Sequence, residues 1–468
     1  MNTPSTVDPN DVEAIVANDR TCLWHHIKPP TVVQQKEQMI IVSGEGLVVR
    51  DLRGREYLDA ASGGVWSVIL GYGRETVARA VYEQLRTMSY WAGGCGTVPS
   101  VRLARALIDR LPGMAKVFFS NSGSEANEKI FKMVRQAAHI DPARRGKYKV
   151  LYRHRDYHGT TIAALSATGQ PERKVQYEPL CDGFVEFPAA LCYRCDFGRT
   201  YPGCDLECAR AVERTILREG PDTVGAVLVE PITAGGGILP PVPEYYPELQ
   251  AICRKYDVWL VMDEVVCGFG RTGRFWGYQH YDVVPDALTM AKGMASSYEP
   301  ISATVVSQAI FDIFVNDPAK ADQRMNYFRD ISTFGGCAGP AAAALETIRI
   351  IEAENLVENS RVMGERLLGG LETLLELPIV GDVRGRGLFC GIEFVRDKAT
   401  REPVSEAHMA VLVGAVAAEG VLVGRTNCSL PGMNTIMNFA PALCITAEQV
   451  DAIVAAVRRA VEKNLEPI

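Results

Sequence analysis

No apolar run in the sequence approaches the ~20 residues that a helix needs to cross a bilayer, which excludes a helical membrane protein. Its start, residues 1–20, is polar and acidic and has no apolar core of the kind a secretory signal carries. The expected location is the cytoplasm. Positive charge is in short supply: 49 Lys and Arg against 56 Asp and Glu leave a net charge of −7. That speaks against a nucleic-acid or acidic-membrane partner, which would need a basic face, but leaves room for a small anion held by local donors. Internal repeats and low-complexity linkers are also missing.

What is present is an ordinary globular composition, 47% hydrophobic and 22% charged, in 468 residues. One hydrophobic core stops growing near ~250–300 residues, so two domains sharing one site are expected. Many of the 13 cysteines sit in apolar elements (Cys95, Cys253, Cys267, Cys390, Cys444), as small buried thiols do in a reducing compartment.

The first ~60 residues read as irregular, then as strands at 39–43 and 46–51. Short apolar strands then alternate with helices. Strands are expected at 115–120, 150–152, 224–230, 258–262 and 287–291; helices at 101–110, 125–138, 209–219 and 247–256. Continuous apolar strands between helices indicate an α/β fold with a mostly parallel sheet covered on both faces. Beyond about residue 330 come long helices (339–354, 357–375, 405–419, 447–464) and strands near 380–384, 388–395, 421–424 and 435–439. This gives a large domain over 61–330 and a smaller α+β domain from 1–60 and 331–468.

Three strand ends carry chemistry. The strand ending at Ser120 runs into Asn121-Ser122-Gly123-Ser124-Glu125, where Ser122 and Glu125 have the spacing of a capping box. Free N–H groups at such a helix start suit a phosphate; a plain capped helix is the simpler reading of that turn alone. The strand before Asp263-Glu264 ends in two acids, either of which could hold a protonated ring nitrogen or simply be solvated. Another strand ends at Lys292-Gly293, where a desolvated lysine suits imine chemistry. A phosphate turn, an acid and an amine at the ends of one sheet are the three functions pyridoxal phosphate needs.

With these residues the chain resembles the class III aminotransferases, pyridoxal-phosphate enzymes of fold type I. The matching stretches are 122–127, Tyr157-His158-Gly159, Glu230-Pro231, 263–273, Ala291-Lys292-Gly293 and 332–336. The resemblance implies that Ser122, Gly123 and Ser124 hold the phosphate, and that Tyr157 and Val265 flank the pyridine ring. It implies that Asp263 pairs with the ring nitrogen, and that His158 and Glu230 belong to the cofactor site. Lys292 would carry the cofactor and move the proton. Thr333 would reach the phosphate of a neighbouring subunit, which implies a homodimer with shared sites, or a tetramer of such dimers. Trp66 matches a substrate-pocket aromatic, with a core aromatic as the equal alternative.

Relatives that use ornithine or 4-aminobutyrate usually carry Gln where this chain has Val266, so the resemblance favours pyruvate as acceptor. The insert 192–195 and the Ser332–Gly339 stretch followed by Pro340 look most like taurine:pyruvate members of the family. Arg425 stands near the arginine that binds a substrate carboxylate in such enzymes; a surface arginine is the competing reading. The alternatives kept open are transfer from β-alanine, 4-aminobutyrate or a diamine, and a decarboxylase or aminomutase on the same scaffold. A scaffold that binds a partner without catalysis is disfavoured by the intact Asp263 and Lys292. Cys192, Cys195, Cys204 and Cys208 have spacing like a structural zinc knuckle, but free thiols are the favoured reading and no metal is expected. His154 and His158 have the i, i+4 spacing of a zinc pair, on a segment that reads as strand and loop.

Overall fold

The computed structural model describes residue 8 and residues 11–466, so part of the polar start lies outside the described residues. Strands β1 (Ile41–Glu45), β2 (Val48–Asp51) and β3 (Glu56–Asp59) form an antiparallel meander. The segment before them is not irregular throughout: Val12–Cys22 and Pro30–Gln35 are helical. The first buries only Val16, so it has no apolar stripe for a sequence pattern to reveal.

The central sheet holds β4 (Met114–Ser120), β5 (Lys149–Arg153), β6 (Phe184–Phe187), β7 (Val224–Val229), β8 (Trp259–Asp263), β9 (Ala287–Met290) and β10 (Ser302–Ser307). Their spatial order is β4-β10-β9-β8-β7-β5-β6. The five strands from β9 to β6 are mutually parallel, and β10 runs antiparallel between β4 and β9. β6 and β10 escape the sequence pattern: one is a four-residue edge strand, and the other is built largely of small and hydroxyl residues. β7, β8 and β9 are buried along their whole length, which is why they read as apolar segments, broken in β9 only by Thr289.

The rest of the chain supplies β11 (Val380–Gly385), β12 (Cys390–Asp397), β13 (Glu402–Pro403), β14 (Val421–Leu422), β15 (Gly424–Arg425) and β16 (Ile436–Phe439). A second sheet has the order β11-β12-β16-β15, with β13 beside β12. The single strand expected at 421–424 is in fact two. β14 pairs with β3, so residues from near the C-terminus complete the N-terminal sheet, while β15 pairs with β16. Of the long helices, Leu356–Glu372 packs on β11 and β12, Ala447–Glu462 packs against that helix, and Ala338–Ala353 packs against the helices Glu75–Thr87 and Val98–Ile108. Among the described residues no helix is long and apolar enough to cross a membrane. All 13 cysteines are free thiols; Cys253, Cys267 and Cys390 are buried as expected, but Cys95 is exposed and Cys444 only half-buried.

Candidate active site

Because β4, β5, β7, β8 and β9 point the same way, the residues after them meet at one edge of the sheet. A cavity of about 140 Å³ opens there, lined by Trp66, Gly123, Ser124, Tyr157, Val265 and Lys292 among others. Asn127, His158, Glu230 and Asp263 reach the same space.

The helix Gly123–Ile140 starts on the expected capping box. Ser122 Oγ accepts from the Glu125 amide, and Glu125 Oε2 accepts from the Ser122 and Asn121 amides. Ser122 is therefore placed differently from the expectation: it is exposed, its hydroxyl and amide are taken up by the cap, and it does not line the cavity. The anion-ready groups are those of Gly123 and Ser124, at the positive end of an 18-residue helix. Close approach explains the glycines. A Cβ on Gly123 would stand 2.8 Å from Val265 Cγ2, and one on Gly159, at φ +142°, would stand 2.5 Å from Ser124 Oγ.

Asp263 ends β8 and is buried. Its Oδ2 accepts from Asn127 Nδ2 and from His158 Nδ1, each at 2.8 Å, and its Oδ1 from the Val265 amide at 3.1 Å. Thr289, its partner across the parallel ladder, donates to Asn127 Oδ1 at 2.9 Å and so orients that amide. Asn127 and Thr289 were not singled out from sequence, because a buried polar side chain in an apolar pattern has no local signature. Glu264 turns the other way. It is fully buried, accepts from the Gly277 and Tyr278 amides at 2.8 Å each, and is pushed up to about 7 by burial. A solvated acid pair is therefore the wrong description of this strand end: one acid faces the cavity and the other caps a turn.

Glu230 follows β7 and bridges two loops, accepting from the Tyr157 and Ala234 amides at 2.7 and 3.0 Å. Burial, reinforced by Asp156 and Asp263, holds its carboxyl well above the usual range. Lys292 sits just beyond β9 in the left-handed region, φ +42°. Desolvation lowers its amine below the ordinary lysine value, opposed by the negative charge of Glu230 and Asp263. Its Nζ lies 5.1 Å from the centroid of Trp66, which is edge-on to Phe389 and donates from Nε1 to Asn438 Oδ1 at 3.0 Å. Trp66 is thus both packed and part of the cavity wall.

Two expected residues stand elsewhere. Thr333 is exposed and does not line this cavity. Arg425 is on β15, whose side chains alternate across the sheet. Its neighbour Gly424 faces Asn438, since a Cβ there would lie 2.0 Å from Asn438 Oδ1. Arg425 consequently faces away, and its Nη1 donates to the Glu406 carbonyl at 3.3 Å. Arg425, expected at the substrate, does not line this cavity in this structure. Cys192, Cys195, Cys204 and Cys208 are near enough for their charges to interact, but among the described residues no group of three or more His, Cys, Asp or Glu is placed to hold a metal ion. His154 pairs with Glu186 and His158 with Asp263, so the two histidines do not converge either.

The groups at this cavity fit pyridoxal phosphate: helix-start amides and a glycine cradle for a phosphate, Tyr157 and Val265 for a ring, Asp263 for a ring nitrogen and Lys292 for an aldehyde. Comparison with known proteins agrees. Residues 31–461 match the family model described as aminotransferase class III. The hypotaurine/taurine–pyruvate aminotransferase of Paracoccus denitrificans (strain Pd 1222) is 49% identical over 458 residues, 98% of both chains. The taurine–pyruvate aminotransferase of Bilophila wadsworthia (strain 3_1_6) is 51% identical over 96% of this chain and 97% of its own. Among solved structures, a Bacillus anthracis aminotransferase superposes with a TM-score of 0.91 at 40% identity, covering 98% of this chain and 100% of that one. The omega transaminase of Pseudomonas jessenii in complex with PMP gives 0.90 at 32% identity, covering 96% and 98%.

Proposed function

The chain belongs to the class III aminotransferases, which depend on pyridoxal phosphate, and on that premise we propose that it moves the terminal amino group of a taurine-like or ω-amino-acid donor to pyruvate, giving alanine and an aldehyde. One observation carries the chemistry: Asp263, Lys292 and the amides of Gly123 and Ser124 meet at a single cavity. The donor and acceptor rest on relatives about 50% identical over nearly the whole chain, which bear taurine–pyruvate or hypotaurine/taurine–pyruvate names.

Bound here, pyridoxal phosphate supplies the electron sink that allows a proton to leave the amine-bearing carbon. Gly123 and Ser124 hold the phosphate, and Tyr157 and Val265 confine the ring. Asp263, itself fixed by Asn127 and His158, would face the ring nitrogen and favour its protonated form. Lys292 would hold the cofactor through its aldehyde, and its amine, when free, would move the proton at the donor's amine-bearing carbon. Its lowered pKa leaves more of it unprotonated near neutrality than an ordinary lysine would be. Trp66 walls the donor side.

We place the working form in the cytoplasm as a homodimer in which Thr333 serves the partner's site. Exposed apolar side chains at Tyr90, Trp91, Ile331 and Phe334, on either side of Thr333 in the chain or packed near it, support a surface covered by a second copy. The division into 61–330 and 1–60 with 331–468 is supported by the pairing of β14 with β3.

Purified enzyme loaded with cofactor and given pyruvate with taurine, hypotaurine, β-alanine or 4-aminobutyrate tests the reading. Taurine or hypotaurine is expected to yield alanine. Alanine from the other donors alone would overturn the donor assignment, and CO₂ release without alanine would overturn transfer to pyruvate.

A further inference from the structure

A donor with an acidic tail needs a cation, and the cavity wall contains no arginine. Lys292 is committed to the amine end. The other ionisable side chains there include Glu230 and Asp263, whose carboxylates oppose an anion. Arg425 does not line the cavity, and its Nη1 donates to the Glu406 carbonyl. A different arginine packs on one of the cavity's lining residues. The Arg173 guanidinium lies over the face of Tyr157, 4.8 Å from the ring centroid, and Tyr157 lines the cavity.

Arg173 is held in place but not neutralised. It closes the short turn Pro171–Arg173 and is half-buried. Its Nε donates to Oε1 of the buried Gln170 at 2.7 Å, and its Nη2 to the Asn427 carbonyl at 3.2 Å. Of the five N–H donors of a guanidinium, two are thus taken up and three remain. Among the described residues it forms no ion pair. Two acids of the same region, Glu172 and Glu406, each accept from Asn434 Nδ2 at 2.8 Å. A half-buried guanidinium with a free fork and no counter-ion is a poor structural device and a good anion receptor. Its field also reaches the cavity: after desolvation, the Arg173 charge is one of the influences that lower the Lys292 amine.

We infer that Arg173 is the residue that binds the sulfonate or carboxylate tail of the amine donor, in the place that Arg425 does not take. The inference rests on the reading of the donor as an acid-tailed amine given above. The tail sits against the free Nη1 and Nη2 hydrogens beside Tyr157, which leaves the amine end for Lys292. Gln170 and Asn427 keep the fork oriented, so the planar geometry, and not charge alone, sets the preference.

The test uses the holoenzyme and the variants Arg173→Gln, Arg173→Lys and Arg425→Ala. Two readouts are taken: KM and kcat with pyruvate for taurine, β-alanine and propylamine, which has no acidic tail, and the binding of unreactive ethanesulfonate by calorimetry. Arg173→Gln is expected to raise KM for both acidic donors and weaken ethanesulfonate ~10–100-fold, the scale of a lost hydrogen bond to a charged group, with kcat much less affected and propylamine unchanged. Arg173→Lys should recover part of the loss, which also guards against a folding defect in the first variant. Unchanged ethanesulfonate binding in Arg173→Gln, or the same loss in Arg425→Ala, overturns the inference. If the unaltered enzyme transfers no amine from any donor, the functional reading fails, and the ethanesulfonate measurement still decides Arg173.

Discussion

His158 Nδ1 stands 2.8 Å from Asp263 Oδ2, and both side chains are buried. The same oxygen takes a second donor, Asn127 Nδ2, also at 2.8 Å. Two directed donors hold the carboxylate in one rotamer. Removing either, by His158→Ala or Asn127→Ala, should lower kcat/KM ~10–100-fold, since a hydrogen bond to a charged group contributes ~1.5–3 kcal/mol. Cofactor titration should show weaker binding in the same variants. Unaltered kinetics in both would remove the supporting role.

Lys292→Ala should abolish transamination, with a loss of at least ~10²–10⁴-fold from the missing base alone. Circular dichroism should show an intact fold, because the side chain lines a cavity. Full activity in this variant would sink the mechanism.

Gly424 is close-packed against the side chain that holds Trp66. A Cβ there would lie 2.0 Å from Asn438 Oδ1, the acceptor for Trp66 Nε1. Gly424→Ala should cost ~1–3 kcal/mol of stability and raise the donor KM as Trp66 loses its anchor. Thermal unfolding and steady-state kinetics check the two effects separately.

Gly387 lies in the turn between β11 and β12 at φ +57°, and a Cβ would fall 2.2 Å from the Thr272 carbonyl carbon. Both the dihedral and the backbone contact forbid a side chain, so Gly387→Ala should lower Tm sharply. Gly369, in the helix Leu356–Glu372, has nothing within 4 Å of its Cβ position. Gly369→Ala should raise stability by ~0.5–1 kcal/mol through helix propensity. Equal effects from the two substitutions would contradict the packing described.

His280 is pushed down to about 4, first by desolvation and then by the charge of Arg386. Its folded pKa lies below the unfolded value near 6.5, so below that pH the unfolded chain binds the proton first. Stability from this residue is present above pH ~6.5 and is lost as pH falls toward 4. His280→Gln should flatten denaturant-measured stability across that window by about 1–3 kcal/mol. An unchanged slope would show that the ring is not held neutral in the fold.

The order of elements and the identity of Asp263 and Lys292 were legible because both are local. Buried, largely apolar segments mark β7, β8 and β9, and the polar residues that follow them must fall at one edge of a parallel sheet. The capping box at Ser122 is likewise a short-range pattern, and so is the glycine that follows it. Only the tertiary structure decided the rest, because it depends on which side of an element a residue takes and on what is brought to it from afar. It separated Asp263 from Glu264, gave the hydroxyl of Ser122 to the cap, and joined Asn127 to Asp263 across 136 positions of sequence. It turned Arg425 outward by a one-residue register on β15 and left Arg173 beside Tyr157 without a counter-ion. A strand's alternation is fixed by its pleat, but which face meets the cavity is fixed by the partner strand, and no local pattern in the sequence records that pairing.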